Sequence, residues 1–96
     1  MNAKNRFLFG DRYRDLLNSA RSGAYALPAV NVVSSSTVNG ALEAAADANA
    51  DIIIQVSGGG AQFYAGKGIK DKLTAQVQGA VAFALHTKLM AKAYGV

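Results

Sequence analysis

Two polar residues, Asn31 and Ser57, stand at the ends of apolar, strand-like runs. This is where ligands gather in parallel α/β folds, beyond the carboxyl ends of the strands. The Asn31 carboxamide can donate and accept hydrogen bonds, so it could orient a hydroxyl or carbonyl group of a polyol. Asn31 could equally cap a turn by bonding to neighbouring backbone. The sequence pattern leaves both interpretations open.

Three consecutive glycines follow Ser57, in the run Gly58–Gly60. Such a run lets the backbone approach a ligand closely, and its successive N–H groups can form an anion-binding concavity. An ordinary glycine turn between strand and helix is the other interpretation. The segment does not match the phosphate-loop motif, because Gly68 follows Lys67 where Ser or Thr is required. The next predicted helix starts about a dozen residues after Gly60, near Thr74, so the dinucleotide-binding pattern of glycines opening a helix is not predicted and a nucleotide-binding function is disfavoured.

The remaining polar candidates favour structural roles. His86 is the only histidine, and one isolated imidazole makes neither a metal site nor a catalytic triad. Glu43 and Asp47 are four residues apart on one predicted helix face, which is typical of a solvated surface. Three lysines could steer an anionic substrate or simply face solvent; they are Lys67, Lys70 and Lys72.

The composition is that of a globular chain. Of the 96 residues, 51% are hydrophobic and 17% are charged, so nothing indicates disorder. The absence of Cys excludes disulfides and thiolate metal sites and suits a cytoplasmic protein. The net charge of +4 comes from loosely grouped Lys and Arg without interleaved aromatic residues, which disfavours nucleic acid as a partner. Neither a signal peptide nor a membrane span of roughly 18 apolar residues is apparent.

Hydrophobic periodicity predicts alternating helices and strands. The first half comprises a helix from Asp11 to Ser22, capped by Asp11 and stopped by Gly23, a strand from Tyr25 to Val33, and a helix from the Ser34–Thr37 capping cluster to about Asn49. The second half comprises a strand from Asp51 to Ser57, a glycine-rich loop from Gly58 to Gly68, a helix from about Thr74 to Ala93, and a strand opening at Val96.

Two further expectations concern burial. The second strand is a nearly continuous apolar run, which is typical of a strand buried on both faces of a parallel sheet. The last helix is expected to bury one apolar side, formed by Val77, Val81, Ala84, Leu85, Leu89 and Ala93. The βαβ order predicts an α/β fold with a parallel sheet. Two strands and the start of a third neither complete such a sheet nor close a barrel, so the pattern breaks off in mid-period.

Five segments in series carry a resemblance to a known family. They are ALPAVNV from Ala26, TVNGALEAA from Thr37, IIQVSGGGA from Ile53, AGKG from Ala65 and MAKAYGV from Met90. In this order and spacing the chain resembles the N-terminal third or less of class II, zinc-dependent fructose-bisphosphate aldolases. The likeness covers about Asp11 to Val96 and is specific to the subgroup with the AGKG loop.

The resemblance implies that residues 1–96 are part of a (β/α)₈ TIM barrel, ending at the start of strand three. It implies a cytoplasmic, usually dimeric lyase of glycolysis and gluconeogenesis that cleaves fructose 1,6-bisphosphate reversibly with the help of zinc. Asn31 and Ser57 match the family's substrate-contacting positions, whereas many members carry Asn where this sequence has Gly58. The segment with the catalytic Asp and the first zinc-ligand His should follow Val96, so the chain itself is expected to hold no catalytic residue and no metal ligand.

Two alternatives stay open. A tagatose-bisphosphate aldolase belongs to the same enzyme class, and this segment does not distinguish the two sugars. A non-catalytic α/β fragment that binds a phosphorylated ligand, or a partner through its exposed sheet edge, belongs to a different class. The aldolase interpretation predicts that the isolated chain is inactive.

Overall fold

Two βα units follow an N-terminal helix in the computed structural model, which describes residues 7–96. The helices and strands, in chain order, are α1 (Gly10–Gly23), β1 (Ala29–Asn31), α2 (Ser35–Ala48), β2 (Ile53–Gln55), α3 (Gly58–Ala65) and α4 (Lys72–Tyr94). The predicted alternation of helix and strand is confirmed, with α3 as an additional element.

Strands β1 and β2 pair in parallel, with Ala29 opposite Ile53 and Asn31 opposite Gln55. The ladder continues for one bond, in which the Val32 N–H donates to the Gln55 carbonyl at 2.9 Å. Both strands are shorter than predicted, because within residues 7–96 each has one neighbour to pair with. The parallel sheet inferred from the βαβ order is confirmed.

The hydrophobic core lies between the sheet and helices α2 and α4. Its buried members are Val32, Val38, Leu42 and Ala91, with half-buried Ile54 packed against them. The helices therefore cover one face of the sheet. The prediction that the second strand is buried on both faces is wrong for this chain, because Ile53 and Ile54, which point to opposite faces of the sheet, are each only half-buried and Gln55 is exposed.

Helix α2 begins as the serine and threonine cluster predicts. Ser34 is its N-cap: the Ser34 Oγ accepts from the Thr37 N–H at 3.2 Å, and the Ser34 N–H donates to the Thr37 Oγ1 at 3.0 Å. This reciprocal capping box satisfies two backbone donors that the helix leaves free. The helix ends at Ala48, and Asn49 takes a left-handed conformation with φ 52°, as expected of a residue whose short amide tolerates that region.

Helix α1 departs from prediction at both ends. Asp11 is not its cap, because the helix begins at Gly10, and Phe9 precedes it without a side-chain capping bond. Asp11 lies in the first turn, where its negative charge interacts favourably with the helix dipole. Its carboxylate also lies 3.6 Å from the guanidinium group of Arg14. Gly23 is the last helical residue rather than the stop, and Ala24 adopts the left-handed conformation.

The segment Gly58–Ala65 forms helix α3, so the prediction of a glycine-rich loop throughout Gly58–Gly68 is wrong there. Glycine disfavours a helix by about 1 kcal/mol per residue relative to alanine. Tertiary packing overrides that preference, because α3 lies along α4 in the most extensive contact between two helices of this chain. The two backbones approach closely where Ala61 faces Gly79.

Helix α4 begins earlier than predicted and buries a different side. Asp71 is its N-cap, and the helix ends before Gly95, which is left-handed as expected of a terminating glycine. Its buried residues are Ala75, Gly79, Thr87 and Ala91. The predicted apolar side is wrong: large residues spaced four apart face solvent and form what we call the α4 ridge, comprising Leu73, Val77, Val81, Leu85 and Leu89.

The reason for that difference is that α4 is apolar on more than one side, so periodicity alone does not identify the buried side. Its small residues permit close approach to α2 and α3, whereas the larger ones do not. At the end of the helix Val96, expected to open a third strand, donates its N–H to the Ala91 carbonyl at 3.0 Å and packs against the core.

Candidate binding site

Asn31 and Gln55 lie side by side at the carboxyl end of the sheet. They are paired in the parallel register, and both side chains are exposed. Val32, one residue along, is buried against the helices, and successive strand residues point to opposite faces. The two side chains therefore project from the open face of the sheet, on adjacent strands whose backbones are about 4.8 Å apart. Together they offer two NH₂ groups as donors and two carbonyl oxygens as acceptors to a hydroxyl-rich ligand.

Gln55 was not predicted as a site residue. It stands inside the apolar run from Ile52 to Val56 and so reads as part of the strand. One signal in the sequence could have indicated it: Gln55 is a polar residue within an otherwise apolar strand, two residues before Ser57.

Ser57 follows β2 and is the N-cap of α3. Its Oγ accepts a hydrogen bond from the Gly60 N–H at 3.0 Å, and its carbonyl accepts from the Ala61 N–H at 2.8 Å. The Ser57 hydroxyl proton remains able to donate to a ligand. Ser57 thus caps a helix, a role that neither interpretation of this segment predicted. The leading N–H groups of a helix also favour a negatively charged ligand group.

The start of α3 is packed tightly against the end of β1. A Cβ built on Gly60 would lie 3.2 Å from the Val32 carbonyl oxygen, 3.0 Å from Val56 Cγ2 and 3.3 Å from Ser57 Oγ. Glycine is favoured at position 60, because a larger residue would push against a backbone oxygen and two side chains. The packing fixes Ser57 beside the strand that carries Asn31, so the structure brings the two predicted site residues to the same edge of the sheet.

The other polar candidates lie between helices rather than at this edge. The His86 Nε2 lies 3.0 Å from the Asn39 Oδ1 and links α4 to α2. The Tyr94 hydroxyl donates to the Glu43 carboxylate at 3.1 Å, and this hydrogen bond raises the pKa of Tyr94 above its usual value. Both contacts are helix-to-helix links, which confirms the structural interpretation of His86.

The lysines are distributed over two elements. Lys67 and Lys70 line an open cavity of about 400 Å³ beside α3, together with Gln62 and Phe63. Lys72 is the first residue of α4. A second cavity, of about 250 Å³ and largely apolar, lies beneath α1 near the amino ends of the strands, at the opposite end from Asn31.

The described residues do not fit a metal centre. Among residues 7–96, no group of three or more His, Cys, Asp or Glu side chains could hold a metal ion. The His86 imidazole is engaged with Asn39. Residues 7–96 therefore contain no complete ligand set for the zinc ion that the family resemblance implies. No helix in the same range is long and apolar enough to cross a membrane.

Comparisons with known proteins agree with one another. Residues 11–96 match the family model of class II fructose-bisphosphate aldolases. The chain is 51% identical over 93% of its length to the fructose-bisphosphate aldolase of Neurospora crassa, covering 25% of that protein. It is 46% identical over its whole length to fructose-bisphosphate aldolase 1 of Paracoccidioides lutzii, covering 27% of it.

A solved structure gives the same result. The crystal structure of the fructose-bisphosphate aldolase of Campylobacter jejuni, a TIM barrel, superposes with a TM-score of 0.89 at 43% identity. The match covers 99% of this chain and 27% of that one. This chain thus spans about a quarter of the length of the relatives it matches, and its α/β fold corresponds to the first βα units of the barrel. The chain belongs to the class II fructose-bisphosphate aldolase family.

Proposed function

We propose that this chain is the N-terminal segment of a zinc-dependent aldolase that cleaves fructose 1,6-bisphosphate reversibly to dihydroxyacetone phosphate and glyceraldehyde 3-phosphate. Residues 1–96 then form a partial TIM-barrel domain. The proposal rests on one observation above all: Asn31, Gln55 and Ser57 meet on the edge of the sheet where barrel enzymes bind their substrates. Family membership supports the choice of reaction.

In this proposal Asn31 and Ser57 bind the phosphorylated sugar, with Gln55 beside them. The carboxamides exchange hydrogen bonds with substrate hydroxyl groups, and Ser57 donates its remaining proton to a substrate oxygen. In this proposal the catalytic acid–base group and the zinc ligands come from the remainder of the enzyme, in keeping with the lack of a group of three or more His, Cys, Asp or Glu side chains that could hold a metal among residues 7–96. We accordingly expect the 96-residue chain alone to bind no catalytic zinc and to be inactive. The complete enzyme would be a cytoplasmic homodimer acting in glycolysis.

A chimera tests the proposal. This chain replaces the matching 27% of the Campylobacter jejuni aldolase, and cleavage of fructose 1,6-bisphosphate is measured with zinc present. We expect the chimera to cleave fructose 1,6-bisphosphate and the isolated 96-residue chain, measured in the same assay, to show no cleavage. Asn31→Ala should lower kcat/KM about tenfold, as the loss of one hydrogen bond worth about 1.4 kcal/mol would.

Ser57 needs a variant that separates binding from helix capping. Ser57→Gly removes the hydroxyl at a capping cost of only a few tenths of a kcal/mol, so a fall in kcat/KM would report substrate contact. A folded but inactive chimera would argue against the function. Cleavage by the purified 96-residue chain would overturn the assignment of catalysis to other parts of the enzyme.

A further inference from the structure

The space beside Gly58 is occupied by a side chain from another helix. A Cβ built on Gly58 would lie 3.1 Å from the Nε2 of Gln76 and 3.7 Å from its Cδ. Gln76 is in the second turn of α4 and is half-buried. Its carboxamide therefore reaches across to the first residue of α3, next to Ser57. By the resemblance, many family members carry Asn at position 58; in this chain the Gln76 carboxamide lies in the space that a side chain there would take.

The helix that carries Gln76 is anchored at its start, while the Gln76 carboxamide itself keeps its hydrogen-bonding groups free. The start of α4 is fixed by its cap: Asp71 Oδ2 accepts from the Thr74 N–H at 2.9 Å and from the Thr74 hydroxyl at 2.7 Å. Within residues 7–96, no hydrogen bond engages the Gln76 carboxamide. Its N–H₂ donor and carbonyl acceptor are consequently available beside the exposed Ser57.

We propose that Gln76 is a further substrate-binding residue of this site, one that donates a hydrogen bond to an oxygen of the phosphorylated sugar. It does so from the place that a side chain on residue 58 would otherwise take. The inference rests on the proposed function, since it adds Gln76 to the set formed by Asn31, Gln55 and Ser57. Gly58 and Gln76 then form a complementary pair in which the small residue makes room for the long one.

The pair makes a specific prediction about Gly58→Ala. The added methyl group stands closer to Gln76 Nε2 than ordinary van der Waals contact allows, so it must displace the flexible carboxamide rather than any backbone. Gly58→Ala should therefore weaken substrate binding in the presence of Gln76 and have little effect once Gln76 is replaced by Leu. This non-additivity is the signature of two residues acting through one contact.

The test uses the complete 96-residue chain labelled with ¹⁵N and titrated with fructose 1,6-bisphosphate. The side-chain N–H₂ signal of Gln76, assigned by its loss in Gln76→Leu, should shift together with the backbone amides of residues 57–60. We expect Gln76→Leu to raise Kd three- to tenfold, as expected for one hydrogen bond. Gln78→Leu is the matched control on the exposed side of α4 and should leave Kd unchanged. A spectrum otherwise like that of Gln78→Leu shows that Gln76→Leu folds.

The outcomes separate this inference from the proposed function. If the amides of residues 57–60 shift while the Gln76 signal does not, the site stands and the role of Gln76 is rejected. Equal affinities for Gln76→Leu and Gln78→Leu reject it as well. If no signal in the site shifts at millimolar concentrations of the sugar bisphosphate, the proposed binding site is rejected, and the role of Gln76 in it is rejected as well. Additive effects of Gly58→Ala and Gln76→Leu overturn the pairing.

Discussion

Gly79→Ala is the substitution that most directly tests how α3 and α4 are joined. A Cβ built on Gly79 would fall almost on the carbonyl oxygen of Ala61, with the Ala61 carbonyl carbon and Cα close by. These are backbone atoms in the middle of α3, so no side chain can turn aside to make room. The two helices would have to separate along the most extensive helix contact of the chain.

The expected cost follows from two opposing effects. Replacing a helical glycine by alanine contributes about 1 kcal/mol of stability through helix propensity. Forcing a methyl group into a filled interface costs about 1–3 kcal/mol, and we take the upper end because the obstacle is backbone. The net loss is then about 2 kcal/mol. For a domain of this size, each kcal/mol corresponds to about 4–8 °C, so Tm should fall by about 8–16 °C.

Thermal unfolding followed by circular dichroism measures this loss, and Gly40→Ala is its matched control. Gly40 lies within helix α2, is exposed, and has nothing within 4 Å of a built Cβ. The same chemical change there should raise Tm by about 4–8 °C, since only the propensity gain remains. A Gly79→Ala variant as stable as Gly40→Ala would refute the close approach of Ala61 to Gly79.

Three further predictions concern α4 and its neighbours. Asn39→Ala leaves His86 without its partner and should lower the free energy of unfolding by about 1 kcal/mol in urea titrations. Asp71→Ala removes the α4 cap; because Thr74 donors hold the pKa of Asp71 below its usual value, the ionised cap stabilises the fold above about pH 4. The Tm difference from wild type should therefore shrink in acid, and a pH-independent difference would contradict this. Leu85→Gln with Leu89→Gln should reduce self-association of the isolated chain in sedimentation experiments without lowering Tm.

Much of the fold could be predicted because its signals are local. The Ser34–Thr37 cluster marks the start of α2, and Gly95 marks the end of α4. The β-branched runs marked both strands, although their hydrogen-bonded cores are only three residues long. Such features depend on a few neighbouring residues, so the sequence contains them directly.

The features that could not be predicted depend on residues far apart in sequence. Helix α3 forms from a glycine run because Gly79 lets α4 approach it. The buried side of α4 is chosen by the fit of its small residues, while the apolar α4 ridge looks equally suited to a core. At the candidate site, Asn31 and Ser57 could be predicted from their positions after strands. The proposed contribution of Gln76 could not, because a helix distant in sequence brings that residue beside Gly58.

Val32 gives the site a property that goes beyond its geometry. Its N–H is bonded to Gln55 at 2.9 Å, its side chain is 2% exposed within the core, and its carbonyl oxygen lies against Gly60. One backbone unit thus joins β1, β2 and the start of α3. We therefore expect the relative positions of Asn31 and Ser57 to be set during folding rather than on ligand contact. If the two residues bind the sugar as proposed, such a preorganised pair loses little conformational entropy on binding, so its few hydrogen bonds contribute nearly their full value to affinity.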